Sequence, residues 1–348
     1  MAGFSLSKMN LSRAQQQILS TFMGLVLLGL FFTIFTKYFF NIDNLLTVAQ
    51  QTTVIAIIAM GQTYVLITGG IDLSIGSNIA LCAMVAGMMM VHDEFIGIHP
   101  DLPMFFALLL GLLTGVLSGA ANGAMIAFGK LPPFIATLGT MTIARGLALT
   151  MTQGYPISGL PNSFTAMGTG YNFGIGNIYD IDMGGYYVPP GVPKIPNIVV
   201  IMLITVFIFG FILQKTKWGR HVYAVGSNFE AARLSGVNTK KTIMMVYMFS
   251  GFLAALAGCL LAARVYSAGP AAGDGYELDA VASSVIGGTS TMGGEGTGIG
   301  TFIGAFIIGI LRNGLNLMGV NPFIQKIVIG LVIVGSVFLD RIRNREKV

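Results

Sequence analysis

Apolar residues fall in runs broken by Gly, Pro or polar punctuation, at about 18–36, 45–67, 77–91, 103–128, 134–152, 197–214, 242–265, 278–289, 299–318 and 323–339. A helix needs roughly 20 mostly apolar residues to cross a bilayer, so this pattern predicts about ten membrane segments. The eighth run is too short to cross at about 1.5 Å per residue, which predicts short or re-entrant segments near 278–298 and near the glycine-punctuated 68–77. Long alternating strands are missing from the pattern, which argues against a membrane β-barrel.

Composition strengthens that reading. Of 348 residues only 9% are charged, against roughly 25% in a soluble domain, and the mean hydropathy is +0.78. The expected fold is therefore an all-α polytopic membrane protein forming one transmembrane domain over residues 1–348. Its first apolar run is too long for a signal-peptide core and has no small-residue cleavage site before Lys37, so it reads as an uncleaved helix.

The net charge of +5 would suit nucleic acid, but the basic residues sit at segment ends, where orientation in lipid explains them better. With ten crossings, Lys8, Arg13, Lys130, Lys215, Lys217, Arg220, Arg233, Lys240, Lys241, Arg341, Arg343, Arg345 and Lys347 share one face, while Lys37 and Lys194 lie opposite beside Asp93, Glu94, Asp101, Asp180, Asp182 and Asp274. Both termini are then expected to be cytoplasmic, with residues 1–17 and the basic tail 340–348 inside. Two loops exceed what a connection needs. The outer stretch 153–196 carries Tyr155, Phe164, Tyr171, Phe173, Tyr179, Tyr186 and Tyr187 and predicts an ordered extracytoplasmic cap; the inner stretch is 215–241.

Motifs for catalysis are missing. Gly129-Lys130 runs into Leu131 instead of completing a phosphate loop, no zinc-protease, dinucleotide or nucleophile-elbow motif occurs, and His92, His99 and His221 lack ligand spacing. Cys82 and Cys259 lie in apolar runs as small hydrophobes. No metal, cofactor or catalytic residue is expected. Ionisable residues inside the runs are few: Asp72, which either caps a broken helix or gates a path, and Arg145, Arg264, Arg312 and Lys326, for which snorkelling or structural pairing suffices. Small residues recur every fourth position at Gly111, Gly115, Gly119 and Gly123 and again at Gly251, Ala255, Cys259 and Ala263, a spacing for close helix packing. Uncharged polar groups that could meet a neutral solute, or bond a neighbouring helix, include Gln50, Gln51, Thr52, Gln62, Asn122, Thr137, Thr140, Asn313 and Asn316.

Within the inner loop, Asn228 can cap a helix whose first turn holds Glu230 and whose end is Gly236, a short rigid knob. The stretch Glu230-Ala-Ala-x-x-x-Gly236 resembles the coupling loop of ABC importer permeases. Thr68-Gly-Gly-Ile-Asp-Leu-Ser74, Pro133-Phe-Ile-Ala-Thr-Leu-Gly139, Gly275-Tyr-Glu-Leu-Asp-Ala280, Gly287-Gly-Thr-Ser290 and Asn313-Gly-Leu-Asn316 look like the ribose/galactose branch of monosaccharide permeases, over about residues 45–340. One departure is a longer outer loop around 165–196.

The resemblance implies a homodimeric permease in lipid in the bacterial cytoplasmic membrane, a cytoplasmic ATP-binding subunit that uses ATP and magnesium, and an extracytoplasmic sugar-binding protein. Arg220, Asn228, Glu230, Ala231, Ala232 and Gly236 would couple to the ATPase, with Ala231 and Ala232 facing its groove. Asp72, Ser74, Gln51, Asn122, Thr137, Thr140, Asn313 and Asn316 would lie along the path of a neutral monosaccharide. An autoinducer- or nucleoside-like solute, or an ion-coupled carrier, is the alternative.

Overall fold

The computed structural model describes residues 13–92, 100–172, 178–180, 185–187 and 194–345, with backbone alone for 13–14, both strands and 339–345. Lys8, Asp93, Glu94, His99, Phe173, Asp182 and Lys347 lie outside the described residues, as do most of 1–17 and the end of the 340–348 tail.

Each of the ten apolar runs coincides with a helix. They are α1 (Arg13–Phe35), α2 (Ile42–Ile67), α3 (Ile75–Met90), α4 (Met104–Ala127), α5 (Pro133–Met151), α7 (Asn197–Lys215), α10 (Thr239–Val265), α11 (Tyr276–Ile286), α12 (Gly298–Leu317) and α13 (Pro322–Arg345). Among the described residues, seven of these, α1, α2, α4, α5, α7, α10 and α12, are long and apolar enough to cross a membrane. α3, the apolar part of α13 and the 11-residue α11 are shorter. Three further helices lie in the two long loops: α6 (Asn162–Thr169) in one, α8 (Lys217–Ser227) and α9 (Phe229–Leu234) in the other. The strands β1 (Ile178–Asp180) and β2 (Gly185–Tyr187) pair antiparallel, Ile178 opposite Tyr187, and form a small hairpin on an otherwise helical chain.

α2 and α10 are apolar on all sides and form the centre, 61% buried each, whereas the peripheral α1 is 11% buried. The two small-residue stripes face one another. Gly115 lies against the Gly251 carbonyl and Ala255, Gly119 against the backbone of Tyr247 and Met248, and Gly123 against Met244, so the α4 and α10 backbones touch with no side chain between them. The free thiols of Cys82 and Cys259 are buried at one end of this seam. α6 closes the adjoining end of the molecule: Phe164 is fully buried, Gly168 packs on Ala263 and Arg264, and Ile157 bridges to Ala268. The described part of the 153–196 loop thus packs on the end of α10.

Candidate functional site

The chain breaks between α2 and α3. Gly69, at φ +78°, turns it out of α2, and the next residues run non-helical to Ser74. Asp72 braces this turn: its Oδ1 accepts the Ser74 amide (2.9 Å) and hydroxyl (2.6 Å), and its Oδ2 accepts the Ser250 hydroxyl of α10 (2.7 Å). Of the two readings of Asp72, the geometry matches the acceptor at a helix start: it fixes Ser74, the residue that opens α3, through an Asx-type turn, while the Ser74 side chain does not itself cap the first turn. From Ser74 the bonds continue outward. Its Oγ accepts from Asn78 (3.1 Å) and Asn122 (2.9 Å), Asn122 Oδ1 accepts from Thr140 (2.6 Å), and Asn78 Oδ1 accepts from Ser118 (2.7 Å). Thr137 donates to the Ile71 and Pro133 carbonyls nearby.

Four of the eight residues expected along the path, Asp72, Ser74, Asn122 and Thr140, therefore meet in one buried network, and a fifth, Thr137, bonds the backbone beside it. The other three are elsewhere. Asn313 and Asn44 exchange amide bonds (3.0 and 3.1 Å), Asn316 accepts from Gln325 (2.8 Å), and Gln51 is half-buried in the first half of α2.

A second irregular stretch faces the first. Beyond α10 the chain turns through Tyr266 at φ +60° and reaches Gly273 and Gly275, also at positive φ, before α11 begins. Gly273 and the Glu277 carboxylate lie against Gly76 of α3. Arg145, inside the α5 span, donates to the carbonyls of Pro270 (2.7 Å), Ala272 (2.9 Å) and Gly76 (3.4 Å). That clamp, not snorkelling, explains a half-buried arginine there. Arg312 of α12 pairs with Asp279 of α11 at 2.5 Å and lies over the Tyr276 ring, 5.7 Å from its centroid, while Arg264 donates to the Gln50 carbonyl (3.1 Å). A cavity of about 520 Å³ opens between α3, α5, α10 and the 267–273 turn and reaches Tyr276.

At the opposite end α8 and α9 form a capped pair. The Thr216 Oγ1 accepts the Gly219 amide (3.1 Å), and the Asn228 Oδ1 accepts that of Ala231 (2.9 Å). α9 then ends in a Schellman arrangement, Gly236 N–H to Arg233 O and Val237 N–H to Ala232 O, with Gly236 at φ +83°. Glu230 pairs with Arg233 one turn on, both side chains exposed. Ala232 is buried against the chain itself, which corrects the expectation that it faces outward; Ala231, Arg220, Phe229 and Leu234 are among the exposed groups.

α8 was legible only weakly, from Trp218, Val222 and Val225 at i, i+4 and i+7 on a short polar stretch. Its Trp218 stacks on Tyr64 of α2 (5.5 Å), Gly226 rests on the Ile67 carbonyl, and Gly294 N–H donates to that carbonyl (2.9 Å). Tyr223 donates to the Gly296 carbonyl (2.7 Å); burial pushes its phenol up to about 12, so it remains a donor.

Among the described residues no cluster of three His, Cys, Asp or Glu could hold a metal ion. A family profile described as "Branched-chain amino acid transport system / permease component" matches residues 44–337. The chain is 45% identical over 326 residues to the ribose import permease protein RbsC of Bacillus subtilis, covering 93% of each chain. It is 42% identical to the protein of that name in Escherichia coli K12 (91% of each). To the D-allose transport system permease protein AlsC of the same strain it is 34% identical (93% of this chain, 91% of the other). No solved structure matches.

Proposed function

The chain belongs to the branched-chain amino acid transport system permease component family, and from that premise we propose that it is the membrane permease of an ABC importer for a neutral monosaccharide, ribose before other pentoses and galactose-like hexoses. It is a multi-pass membrane protein and a transport subunit without catalytic machinery, in the bacterial cytoplasmic membrane. Two copies would form the permease, a cytoplasmic ATPase would dock on α8 and α9, and a sugar-binding protein would deliver solute to the face closed by 153–196. In this arrangement all ten segments lie in the membrane, with α3 and α11 as partial ones and both termini inside; 215–241 is the coupling loop and 340–348 a basic inner tail.

The observation that carries the reading is the knob itself. α9 has both ends fixed by hydrogen bonds and presents Phe229 (43% exposed) and Leu234 (79% exposed) on a chain with no nucleotide motif. Apolar groups held out on a rigid support at the cytoplasmic end suit a protein partner. Arg220, Asn228, Glu230, Ala231 and Gly236 would shape or flank that contact, and Ala232 would seat it. An ion-coupled carrier would have no use for it.

The test is reconstitution in liposomes with the cognate ATPase and binding protein, measuring uptake of labelled D-ribose. Uptake that needs ATP and both partners is expected, with competition by galactose weaker than by unlabelled ribose. Leu234→Asp should abolish ribose-stimulated ATP hydrolysis while the permease keeps its thermal midpoint. Ribose uptake without ATP would overturn the reading in favour of a secondary carrier.

A further inference from the structure

None of the described residues that line the 520 Å³ cavity between α3, α5, α10 and the 267–273 turn has a charged or amide side chain. Two hydroxyl side chains reach it, Ser267 and Tyr276, and that of Ser267 already donates to the Ile157 carbonyl (3.1 Å). The carbonyls of Pro270 and Ala272, in the same lining, are engaged by Arg145 of α5. A water molecule settles in a cavity only with two to four polar partners, and a sugar hydroxyl that gives up water for a site without a partner loses affinity. The lining therefore suits hydrocarbon.

The cavity is sunk below an open rim. Leu149 and Val265, at the ends of α5 and α10, are exposed there together with Pro156, while Ala83, Gly258 and Ala262 are buried and, being small, leave the space. Both α5 and α10 are long and apolar enough to cross a membrane, and the rim continues the exposed apolar surface of α5 at Ile143 and Leu147. Two tyrosines adjoin the rim in sequence, Tyr155 (54% exposed) and Tyr266 (51% exposed). Tyrosine is the residue of the membrane interface, with its ring at headgroup level. A neighbouring helix, about 10–12 Å across with its side chains, can cover such an opening but cannot enter it. A single file of methylenes can.

We propose that this cavity seats one acyl chain of a glycerophospholipid, drawn from the leaflet on the side of the 153–196 loop, with the headgroup level with Tyr155 and Tyr266. The acyl chain packs against the 267–273 turn, which Arg145 clamps, so lipid stiffens the segment that joins α10 to α11. This inference needs only the membrane location and is independent of the solute.

The test places the full chain in liposomes containing phosphatidylglycerol with a diazirine near the end of one palmitoyl chain, followed by irradiation and mapping of adducts by mass spectrometry. Adducts are expected on Leu149, Leu261 and Ala262, which line the cavity. Ala262→Phe fills the floor and should lose those on Leu149 and Leu261. Val265→Trp enlarges an exposed side chain at the rim without entering the core, and it should lose those on Leu261 and Ala262. Should Ala262→Phe not fold, Val265→Trp decides alone. Ile34 on the peripheral α1, 78% exposed, should be labelled equally in every variant. Unchanged cavity adducts in Val265→Trp would overturn the proposal. So would a wild type labelled at Ile34 but not in the cavity, as expected beneath a second copy, or cavity adducts lost on adding D-ribose, which would make this a solute site.

Discussion

Asp72 shows how much one side chain can hold. Three hydrogen bonds end on its carboxylate, two from Ser74 close by and one from Ser250, 178 positions along the chain. Asp72→Ala leaves the Ser74 amide and two hydroxyls buried without acceptors, and a lost partner of this kind costs about 1–3 kcal/mol. A clear fall in thermal midpoint is expected in detergent, whereas Asp72→Asn, which keeps one acceptor oxygen, should fall less; equal midpoints for Ala and wild type would remove Asp72 from the brace. Its importance was legible in the sequence because an acid between glycine-rich and apolar residues needs a reason. Its partner was not, since nothing local to Asp72 points to Ser250. Arg312 was read as a structural or snorkelling residue for the same cause: Asp279, its counter-ion, lies on another helix.

At the scale of elements, periodicity located every apolar helix, because each run must bury or face lipid along its whole length. It did not reveal which backbones touch. The facing stripes on α4 and α10 do so through glycine, so Gly115→Val should force the helices apart against the Gly251 carbonyl and strongly lower the yield of folded protein, as overpacking costs about 1–3 kcal/mol or more. The control is Gly139→Ala on α5, where an added methyl meets nothing and the yield should hold. α8 was hidden for another reason, being a short helix in a basic loop with too few apolar residues to form a run. The Tyr223 bond to Gly296 is worth about 0.5–1.5 kcal/mol, so Tyr223→Phe should change the midpoint little. Ribose-stimulated ATP hydrolysis should nevertheless drop while ATPase binding, followed by co-purification, persists.

Across the whole molecule, the two long loops mark opposite ends, one with α6 over the α10 terminus and the other with α8 and α9 beyond the end of α2. The proposed orientation, both termini inside, predicts that a cysteine at Ser163 reacts with an impermeant thiol reagent added outside intact cells, and one at Ser227 only after lysis; both positions are exposed. Labelling at 227 from outside would invert the orientation. The end that carries α8 and α9 has one more property. Where Gly226, the Ile67 carbonyl and Gly294 meet, main chain rests on main chain, with no side chain interposed. A joint without rotamers has no slack. Side chains at an interface absorb small displacements by hopping between wells, but peptide planes in contact can only be pushed or pulled. A thrust on α9 would therefore reach α2 without backlash, and α2 leads directly into the turn that Asp72 braces. Even one methyl at Gly226 would act as a wedge in this linkage, leaving a transporter that binds its motor and idles.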